Sequence, residues 1–360
     1  MSRIVLTGGG TAGHVTSNLA LYPRLCEEGY EVSYIGSYSG IEKKLAEEAG
    51  IPYYGVDTGK FRRYRDLKNL TDPFHVLHGV LEARKLLKKL NPDIIFSKGG
   101  FVAVPVVWAA HLLRIPVVSH ESDMTPGLAN KLTLPMSSRI CCNFPETMKH
   151  LPEGKAVLTG APIRKALLEG SREEGLKMTG FSGEKPVLMI IGGSLGSVAI
   201  NQAVRALLPK LLPQFDIIHV AGKGNLDENL KDTAGYRQYE YLTDGLRHLY
   251  ALADIVISRA GANVICELLA LQKPNILIPL PKDASRGDQI LNAESFRVQD
   301  FSIVVDQHEM EADLSLLYNA VEQVYENRAQ YVAAMKQASG KSGVEAVLEV
   351  LESVRTGSAK

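Results

Sequence analysis

Two short apolar runs in this 360-residue chain each end in a cluster of glycines followed by a helical pattern. The first run, residues 4–6, leads into Gly8, Gly9 and Gly10, and the second, residues 187–191, leads into Gly192 and Gly193. A glycine turn between a strand and a helix leaves backbone N–H groups free at the positive helix end, where phosphates bind. Two such units predict two halves with a nucleotide-binding type of fold, facing one cleft.

Strand-like and helical patterns alternate along both halves of the chain. The predicted strands are residues 4–6, 32–35, 94–96, 117–119 and 139–142, then 187–191, 216–220, 239–242, 255–258 and 275–279. Such alternation predicts the α/β class, with parallel sheets covered by helices on both faces. A polar stretch at residues 169–185 puts the boundary between the halves near residue 165, and residues 314–354 are predicted to be helical.

The composition limits the possible partners and compartments. A chain of 360 residues exceeds what one hydrophobic core usually serves, so two domains are expected. The 40 basic and 40 acidic side chains cancel, so no overall charge favours a nucleic-acid partner. The first residues predict a strand rather than a signal peptide, and the longest apolar stretch, residues 101–113, is too short to span a bilayer. Without C-x-x-C spacing, the cysteines are predicted to be buried, reduced thiols of a cytosolic protein: Cys26, Cys141, Cys142 and Cys266.

The first glycine turn also satisfies G-x-G-x-x-G, through Gly8, Gly10 and Gly13. A dinucleotide site would need an acidic residue at the end of the second strand, and residues 34–37 contain none. His14 follows the glycines directly, where an imidazole suits a catalytic site. Capping or packing at the helix start would also account for His14.

Six motifs occur in a fixed order along nearly the whole chain. They are residues 9–14, 97–101, 120–123 with 126–131, 160–164, 192–196, and 258–262 with Glu267. In order and spacing they resemble the MurG family of glycosyltransferases. The resemblance implies a GT-B fold, two Rossmann-like parallel-sheet domains facing a cleft: an acceptor- and membrane-binding domain at 1–164, a UDP-GlcNAc-binding domain at 165–340, and a final helix at 341–360 that crosses back to the first domain.

The resemblance also implies a reaction and its substrates. GlcNAc would pass with inversion from UDP-GlcNAc to the C4 hydroxyl of MurNAc in lipid I, forming lipid II for peptidoglycan synthesis at the cytoplasmic face of the membrane. No cofactor is expected, and no metal site, because the chain contains no D-x-D motif. Helix N-termini and a cation would then hold the pyrophosphate.

Site residues can be assigned by position within the motifs. The catalytic candidates are His14 and Glu121, with His14 favoured as the base and Glu121 as either a rival base or a group that orients the acceptor. The implied donor-binding residues are Thr11, Ala12, Gly13, Arg164, Gly193, Ser194, Leu195, Gly196, Leu242, Gly261, Ala262, Glu267, Asp288 and Gln289. The implied acceptor-binding residues are Gly10, Gly99, Gly100, Phe101 and Asp123.

Two donor candidates have alternative explanations. Arg164 could form a hinge salt bridge, and Glu267 could belong to a buried ion pair rather than accept from a ribose hydroxyl. The chain also departs from the family pattern near both sugar sites, at Ala12, Thr16, Ser17, Ser122, Asp123 and Asp288.

A basic and aromatic segment predicts contact with an anionic membrane surface. Its residues include Lys60, Phe61, Arg62, Arg63, Arg65 and Lys68. Each cation contributes on the order of 1 kcal/mol near anionic headgroups. An ordinary solvated loop is the alternative, as it is for the lysines at 85, 88 and 89.

Two other functional classes remain open at this stage. A protein similar to UDP-GlcNAc 2-epimerases would share the fold and donor pocket but would have no use for the basic segment. A non-catalytic sugar-nucleotide-binding subunit would keep the donor half and show an altered first turn.

Overall fold

The computed structural model of the protein describes residues 1–59, 72–193, 196–242, 245–285, 287–338 and 340–358. The chain forms two compact units. Unit 1 comprises Met1–Arg164 together with Lys341–Lys360, and unit 2 comprises Lys165–Gly340.

Unit 1 is built on a parallel sheet with strand order β3-β2-β1-β4-β5-β6-β7. Its strands are β1 (Arg3–Thr7), β2 (Glu31–Ser37), β3 (Tyr53–Val56), β4 (Ile94–Ser97), β5 (Val117–Glu121), β6 (Arg139–Cys142) and β7 (Ala156–Leu158). Its helices are α1 (Ala12–Glu27), α2 (Ile41–Glu48), α3 (Asp72–Leu90), α4 (Ala103–Leu112), α5 (Leu128–Thr133) and, from the chain end, α15 (Gly343–Arg355).

Alternating apolar side chains give the sheet of unit 1 two buried faces. Ile4 and Leu6 of β1 pack in one cluster with Leu21 of α1, Ala46 of α2 and Leu351 of α15. The residue between them, Val5, belongs to the opposite cluster, which α3 and α4 cover. The final helix therefore completes the core of unit 1.

Unit 2 repeats the pattern with strand order β10-β9-β8-β11-β12-β13. Its strands are β8 (Val187–Ile191), β9 (Asp216–Val220), β10 (Tyr236–Tyr239), β11 (Ile255–Ser258), β12 (Asn275–Leu277) and β13 (Ser302–Val304). Its helices are α6 (Lys165–Leu168), α7 (Arg172–Thr179), α8 (Val198–Leu211), α9 (Leu246–Leu252), α10 (Ala262–Ala270), α11 (Asp288–Val298), α12 (Gln307–Ala312), α13 (Ser315–Glu326) and α14 (Arg328–Ala338).

The predicted α/β class with parallel sheets is confirmed. The sequence prediction missed three short strands, β3, β7 and β13. It also placed β10 at 239–242, three residues too late. Pairing with β9 fixes the true position, because Tyr236 lies opposite Ile217 and its hydroxyl hydrogen-bonds His219 Nδ1 at 2.7 Å.

One cysteine prediction was wrong. Cys26 is exposed, whereas Cys141, Cys142 and Cys266 are buried free thiols. The buried stripe of α1 includes Leu21 and Leu25, and the next residue lies about 100° around the helix, beyond that stripe. A search of the described helices finds none with the length and apolar character needed to cross a membrane.

We predict that Leu351→Ala lowers the free energy of unfolding of unit 1 by about 2–5 kcal/mol, the usual cost of truncating a fully buried leucine. Urea unfolding followed by circular dichroism measures this change. Glu349→Ala, at an exposed position of the same helix, is the matched control and should change the free energy by less than about 1 kcal/mol. Equal effects of the two substitutions would mean that α15 does not hold this core together.

Candidate active site

The predicted site residues of unit 1 cluster at the ends of two neighbouring parallel strands, from which the chain continues to opposite sides of the sheet. β1 pairs with β4, and the chain leaves β1 toward β2 on one side and β4 toward β5 on the other. At such a switch point the loops separate and leave a crevice beyond the carboxyl ends of the strands, which is where ligands of open α/β sheets bind.

Glycines allow two loops to approach each other at this edge. Gly99 and Gly100 follow β4 with φ of +87° and +79°. A Cβ on Gly100 would overlap the carbonyl oxygen of Gly9 and lie 3.2 Å from His14 Nδ1, and a Cβ on Gly99 would overlap the amide of Asn130. The turn after β4 therefore fits between α1 and α5 only without side chains.

His14 lies in the first turn of α1. Its Nδ1 lies 2.9 Å from the carbonyl oxygen of Gly9 and 3.2 Å from Thr11 Oγ1. Because a carbonyl only accepts, Nδ1 carries the proton and the neutral ring keeps its lone pair on Nε2. Removal of the ring from water and the positive charge of Lys98 lower the pKa of His14 to about 4. An imidazole with this pKa is a proton acceptor at neutral pH.

A buried carboxylate holds the loop that precedes His14. Glu42, at the start of α2, accepts a hydrogen bond from the backbone N–H of Gly10 at 3.3 Å. Its other oxygen accepts from the backbone N–H of Ser37 at 3.1 Å and from the Ser37 hydroxyl. Glu42 thus ties the glycine turn to the end of β2.

Glu121, at the end of β5, is buried at this same edge. Its Oε1 accepts from the backbone N–H of Asp123 at 3.0 Å, and its Oε2 accepts from Asn130 Nδ2 at 2.6 Å. Burial raises the pKa of Glu121 above its usual value, opposed by these two hydrogen bonds and by Lys98. Both oxygens are already engaged, which suits a group that orients its neighbours.

Lys98 is the first residue after β4 and is only 1% exposed. Its Nζ lies 2.7 Å from His120 Nδ1 and also donates to the hydroxyl of Ser122. His120 Nε2 in turn lies 3.1 Å from the carbonyl oxygen of Gly160. Burial and Lys98 lower the pKa of His120 well below its ordinary value, so the ring is neutral.

Unit 1 therefore brings together both catalytic candidates, His14 and Glu121. The acceptor candidates lie in the turns of the same edge: Gly10, Gly99, Gly100, Phe101 and Asp123. Three donor candidates, Thr11, Ala12 and Gly13, form the start of α1.

Sequence reasoning did not assign Lys98, Glu42 or Asn130 to the site. A cation directly after an apolar strand and before two glycines was a usable signal for Lys98. Glu42 carried no such signal, because a carboxylate in a short amphipathic helix normally faces solvent.

Unit 2 has its own switch point between β8 and β11. The turn after β8 contains Gly193 and Gly196 with φ of +94° and +77°, and a Cβ on Gly196 would overlap the carbonyl oxygen of Ala221. Ser197 caps α8, and its Oγ accepts from Arg259 Nη2 at 2.7 Å. Since Arg259 Nη1 also donates to the carbonyl oxygens of Ile278 and Pro279, at 3.0 and 3.2 Å, this arginine fixes the helix start against the end of β12.

The remaining donor candidates are distributed around unit 2. Gly261 and Ala262 begin α10, and the partly exposed Glu267 lies further along that helix. Asp288 and Gln289 begin α11, where Gln289 Oε1 accepts from the backbone N–H of Leu280 at 3.1 Å. Leu242 follows β10 and is partly exposed.

Arg164 is partly exposed and is the last residue of the first segment of unit 1. Several predicted residues lie outside the described ranges: Ser194, Leu195, Lys60, Phe61, Arg62, Arg63, Arg65 and Lys68. Among the residues that the structure describes, no group of three or more His, Cys, Asp or Glu side chains is placed to hold a metal ion.

Two family models match the two halves of the chain. Residues 4–141 match the glycosyltransferase family 28 N-terminal domain, and residues 187–350 match the family 28 C-terminal domain. With a glycine turn at the switch point of each parallel sheet, the chain is a two-domain glycosyltransferase.

Comparison with individual relatives identifies the family of glycosyltransferases to which the chain belongs. A protein of Lachnospira eligens named UDP-N-acetylglucosamine–N-acetylmuramyl-(pentapeptide) pyrophosphoryl-undecaprenol N-acetylglucosamine transferase is 56% identical over 98% of this chain and 99% of its own. The crystal structure of Acinetobacter baumannii MurG aligns with a TM-score of 0.78 at 25% identity, over 98% of this chain and 99% of that one. The chain belongs to the MurG family and has its GT-B fold.

A solved structure with a different activity shares the fold. The UDP-GlcNAc 2-epimerase of Methanocaldococcus jannaschii aligns with a TM-score of 0.67 at 14% identity, over 98% of this chain and 99% of that one. At that identity the similarity concerns the fold alone.

We predict that His14 titrates near pH 4 in the folded protein, because its ring is removed from water beside Lys98. NMR titration of the imidazole Cε1–H resonance measures the midpoint, with His14→Gln used to assign the signal among the nine histidines. A midpoint near 6.5, the ordinary value for histidine, would contradict the geometry.

Proposed function

We propose that the protein transfers GlcNAc from UDP-GlcNAc to the C4 hydroxyl of MurNAc in lipid I and so forms lipid II. One observation carries the proposal: the 56% identity to the Lachnospira eligens transferase extends over both domains and nearly every residue of each chain. A similarity confined to one domain would support only sugar-nucleotide binding.

In this proposal His14 is the general base. The lone pair on Nε2 takes the proton of the C4 hydroxyl as its oxygen attacks the anomeric carbon of GlcNAc, and the bond from that carbon to the oxygen of UDP breaks with inversion. The hydrogen bond from Nδ1–H to the carbonyl of Gly9 holds the ring in the required tautomer. The low pKa of His14 favours the neutral ring before each turnover.

We assign Glu121 the role of orienting the acceptor loop. Its carboxylate joins the backbone of Asp123 to the side chain of Asn130 and so fixes the turn after β5 against α5. Asp123 and Phe101 stand at the ends of neighbouring strands, where they would contact the acceptor sugar with Gly10, Gly99 and Gly100.

Unit 2 would bind the donor. The start of α8, fixed by Arg259 and Ser197, would present backbone N–H groups to the pyrophosphate beside Gly193 and Gly196. The charge of Arg164 would assist the departure of UDP, Glu267 would accept from the ribose hydroxyls, and Asp288 and Gln289 would contact the sugar. Thr11, Ala12, Gly13, Leu242, Gly261 and Ala262 complete the proposed donor set.

The deciding experiment incubates the purified protein with UDP-GlcNAc, with and without lipid I. We expect UDP and lipid II only when lipid I is present, and His14→Ala should lower kcat about 10²–10⁴-fold, as loss of a general base does, with little change in UDP-GlcNAc affinity. His14→Gln, which keeps much of the side-chain volume, should show the same loss if the cause is chemical.

The other outcomes identify the alternatives. Formation of UDP-ManNAc without lipid I would indicate an epimerase, and binding without turnover would indicate a non-catalytic subunit. A His14→Ala variant that kept kcat within a few-fold would make His14 structural and transfer the role of base to Glu121 or Asp123.

We further propose that unit 1 docks peripherally on the cytoplasmic face of the membrane. Phe74, Leu77 and Leu81 of α3 are 73%, 57% and 65% exposed and recur at helical spacing on one face. Exposed leucines of the adjoining helices, Leu112 and Leu128, add to this apolar set. The cations of α3 are exposed as well: Arg84, Lys85, Lys88 and Lys89. Apolar side chains among cations suit a surface of anionic lipids.

We predict that Leu77→Ser/Leu81→Ser weakens binding to anionic phosphatidylglycerol vesicles on the order of tenfold, because two partly inserted leucines are lost. Charge reversal at Lys60, Arg62, Arg63, Arg65 and Lys68 should also weaken binding and should raise the KM for lipid I, and added salt should mimic it. Cosedimentation and steady-state kinetics measure these effects.

Val298→Ser, at a 66% exposed valine of α11, is the control and should bind vesicles as the wild type does. Turnover of a soluble short-chain lipid I analogue should remain within about twofold in all these variants, because the chemistry is untouched. Equal losses on lipid I and on the soluble analogue would show that the altered residues serve folding or the active site.

A further inference from the structure

The mechanism proposed above gives no role to the buried charge of Lys98. Lys98 is among the largest fully buried side chains. It lies at the carboxyl edge of the unit 1 sheet, among the residues proposed to bind the acceptor. Burying an ammonium is costly unless hydrogen bonds and nearby charges compensate it, so its position has a structural or chemical cause.

The hydrogen bonds of Lys98 fix the position of its ammonium group, and Lys98 is the donor in each of them. Because His120 Nε2 donates its proton to the carbonyl of Gly160, Nδ1 of the same neutral ring is an acceptor, and Lys98 is the donor to it. The second donor contact is to the hydroxyl of Ser122. The ammonium therefore fastens the end of β4 to the end of β5 and to the first residue of the loop that follows.

The register of the sheet places Lys98 between the two catalytic candidates. Ser97 of β4 pairs with Thr7 of β1 on one side and with Ser119 of β5 on the other. One residue further along, the Cβ of Lys98 would lie 3.0 Å from a Cβ on Gly8. The titratable groups that interact with its charge are His14 on the side of β1, and His120, Glu121 and Cys141 on the side of β5. Glu42 in turn acts on His14.

We propose that Lys98 is a positioning residue of the acceptor site: through Ser122 it clamps the loop after β5, and it places a positive charge between His14 and Glu121. The proposal rests on the proposed function, since it names the group that prepares the base of that reaction. Lys98 acts through its neighbours and does not itself contact substrate.

The test compares Lys98→Met with Lys98→Arg on the soluble acceptor across pH. Loss of a positive charge favours the protonated form of either candidate base, so in Lys98→Met the acidic limb of kcat/KM should move to higher pH, on the order of one unit. Lys98→Arg keeps the charge, so its acidic limb should lie within a few tenths of a pH unit of the wild-type limb. Lys43→Met removes an exposed lysine beside Glu42 and is the matched control, with no shift expected.

A measurement without substrate separates this proposal from the proposed function. The NMR midpoint of His14 should rise in Lys98→Met and should not rise in Lys98→Arg, whether or not the protein makes lipid II. An unchanged midpoint would overturn the role of Lys98, whereas a wild type inactive on lipid I would overturn the proposed function and leave this result standing.

A third variant covers the case in which Lys98→Met does not fold. Ser122→Ala removes the clamp but keeps the charge, so the acidic limb should stay in place while the KM for acceptor rises several-fold and the KM for UDP-GlcNAc does not. A wild-type KM for acceptor in Ser122→Ala would show that the contact between Lys98 and Ser122 does not position the acceptor loop.

Discussion

Parallel pairing at two switch points is the constraint on which this molecule depends. β1 pairs with β4 in unit 1 and β8 with β11 in unit 2, and in each case the chain departs to opposite sides. The loops at these points can lie directly against neighbouring backbone because Gly100 and Gly196 carry no side chain. The same geometry leaves helix starts at the carboxyl edge of each sheet, where backbone N–H groups can bind a phosphate.

Three charged side chains that are distant in sequence lie buried at the carboxyl edge of the unit 1 sheet. Glu42, Lys98 and Glu121 are all buried, and each is held by hydrogen bonds to a neighbouring loop. A single buried charge without partners would destabilise this edge, whereas here each charged group is hydrogen-bonded, and these bonds fix the loops that carry Gly10, Ser122 and Asp123. The contacts that stabilise this edge are therefore the same ones that position the loops of the candidate site.

Much of the fold was predictable from sequence because apolar runs and glycine turns are local signals. From the chain alone, His14 and the turn at Gly99 and Gly100 could be placed just beyond the ends of strands. The burial of Lys98 could not, because it depends on His120 and Ser122, which reach it only after β5 has paired with β4. Short strands such as β7 were missed for a related reason: three residues carry too little periodicity, and pairing with β6 decides their conformation.

The packing of α15 has a consequence for how the protein is made. Residues 344–351 cover Ile4, Leu6 and Leu21, yet the ribosome synthesises them after the whole of unit 2. During translation one apolar face of the first sheet is covered only in part, by α1 and α2, while Lys165–Gly340 can already complete its own core. The core of unit 1, although first in sequence, is therefore the later of the two to be completed, and until then its exposed apolar side chains favour aggregation.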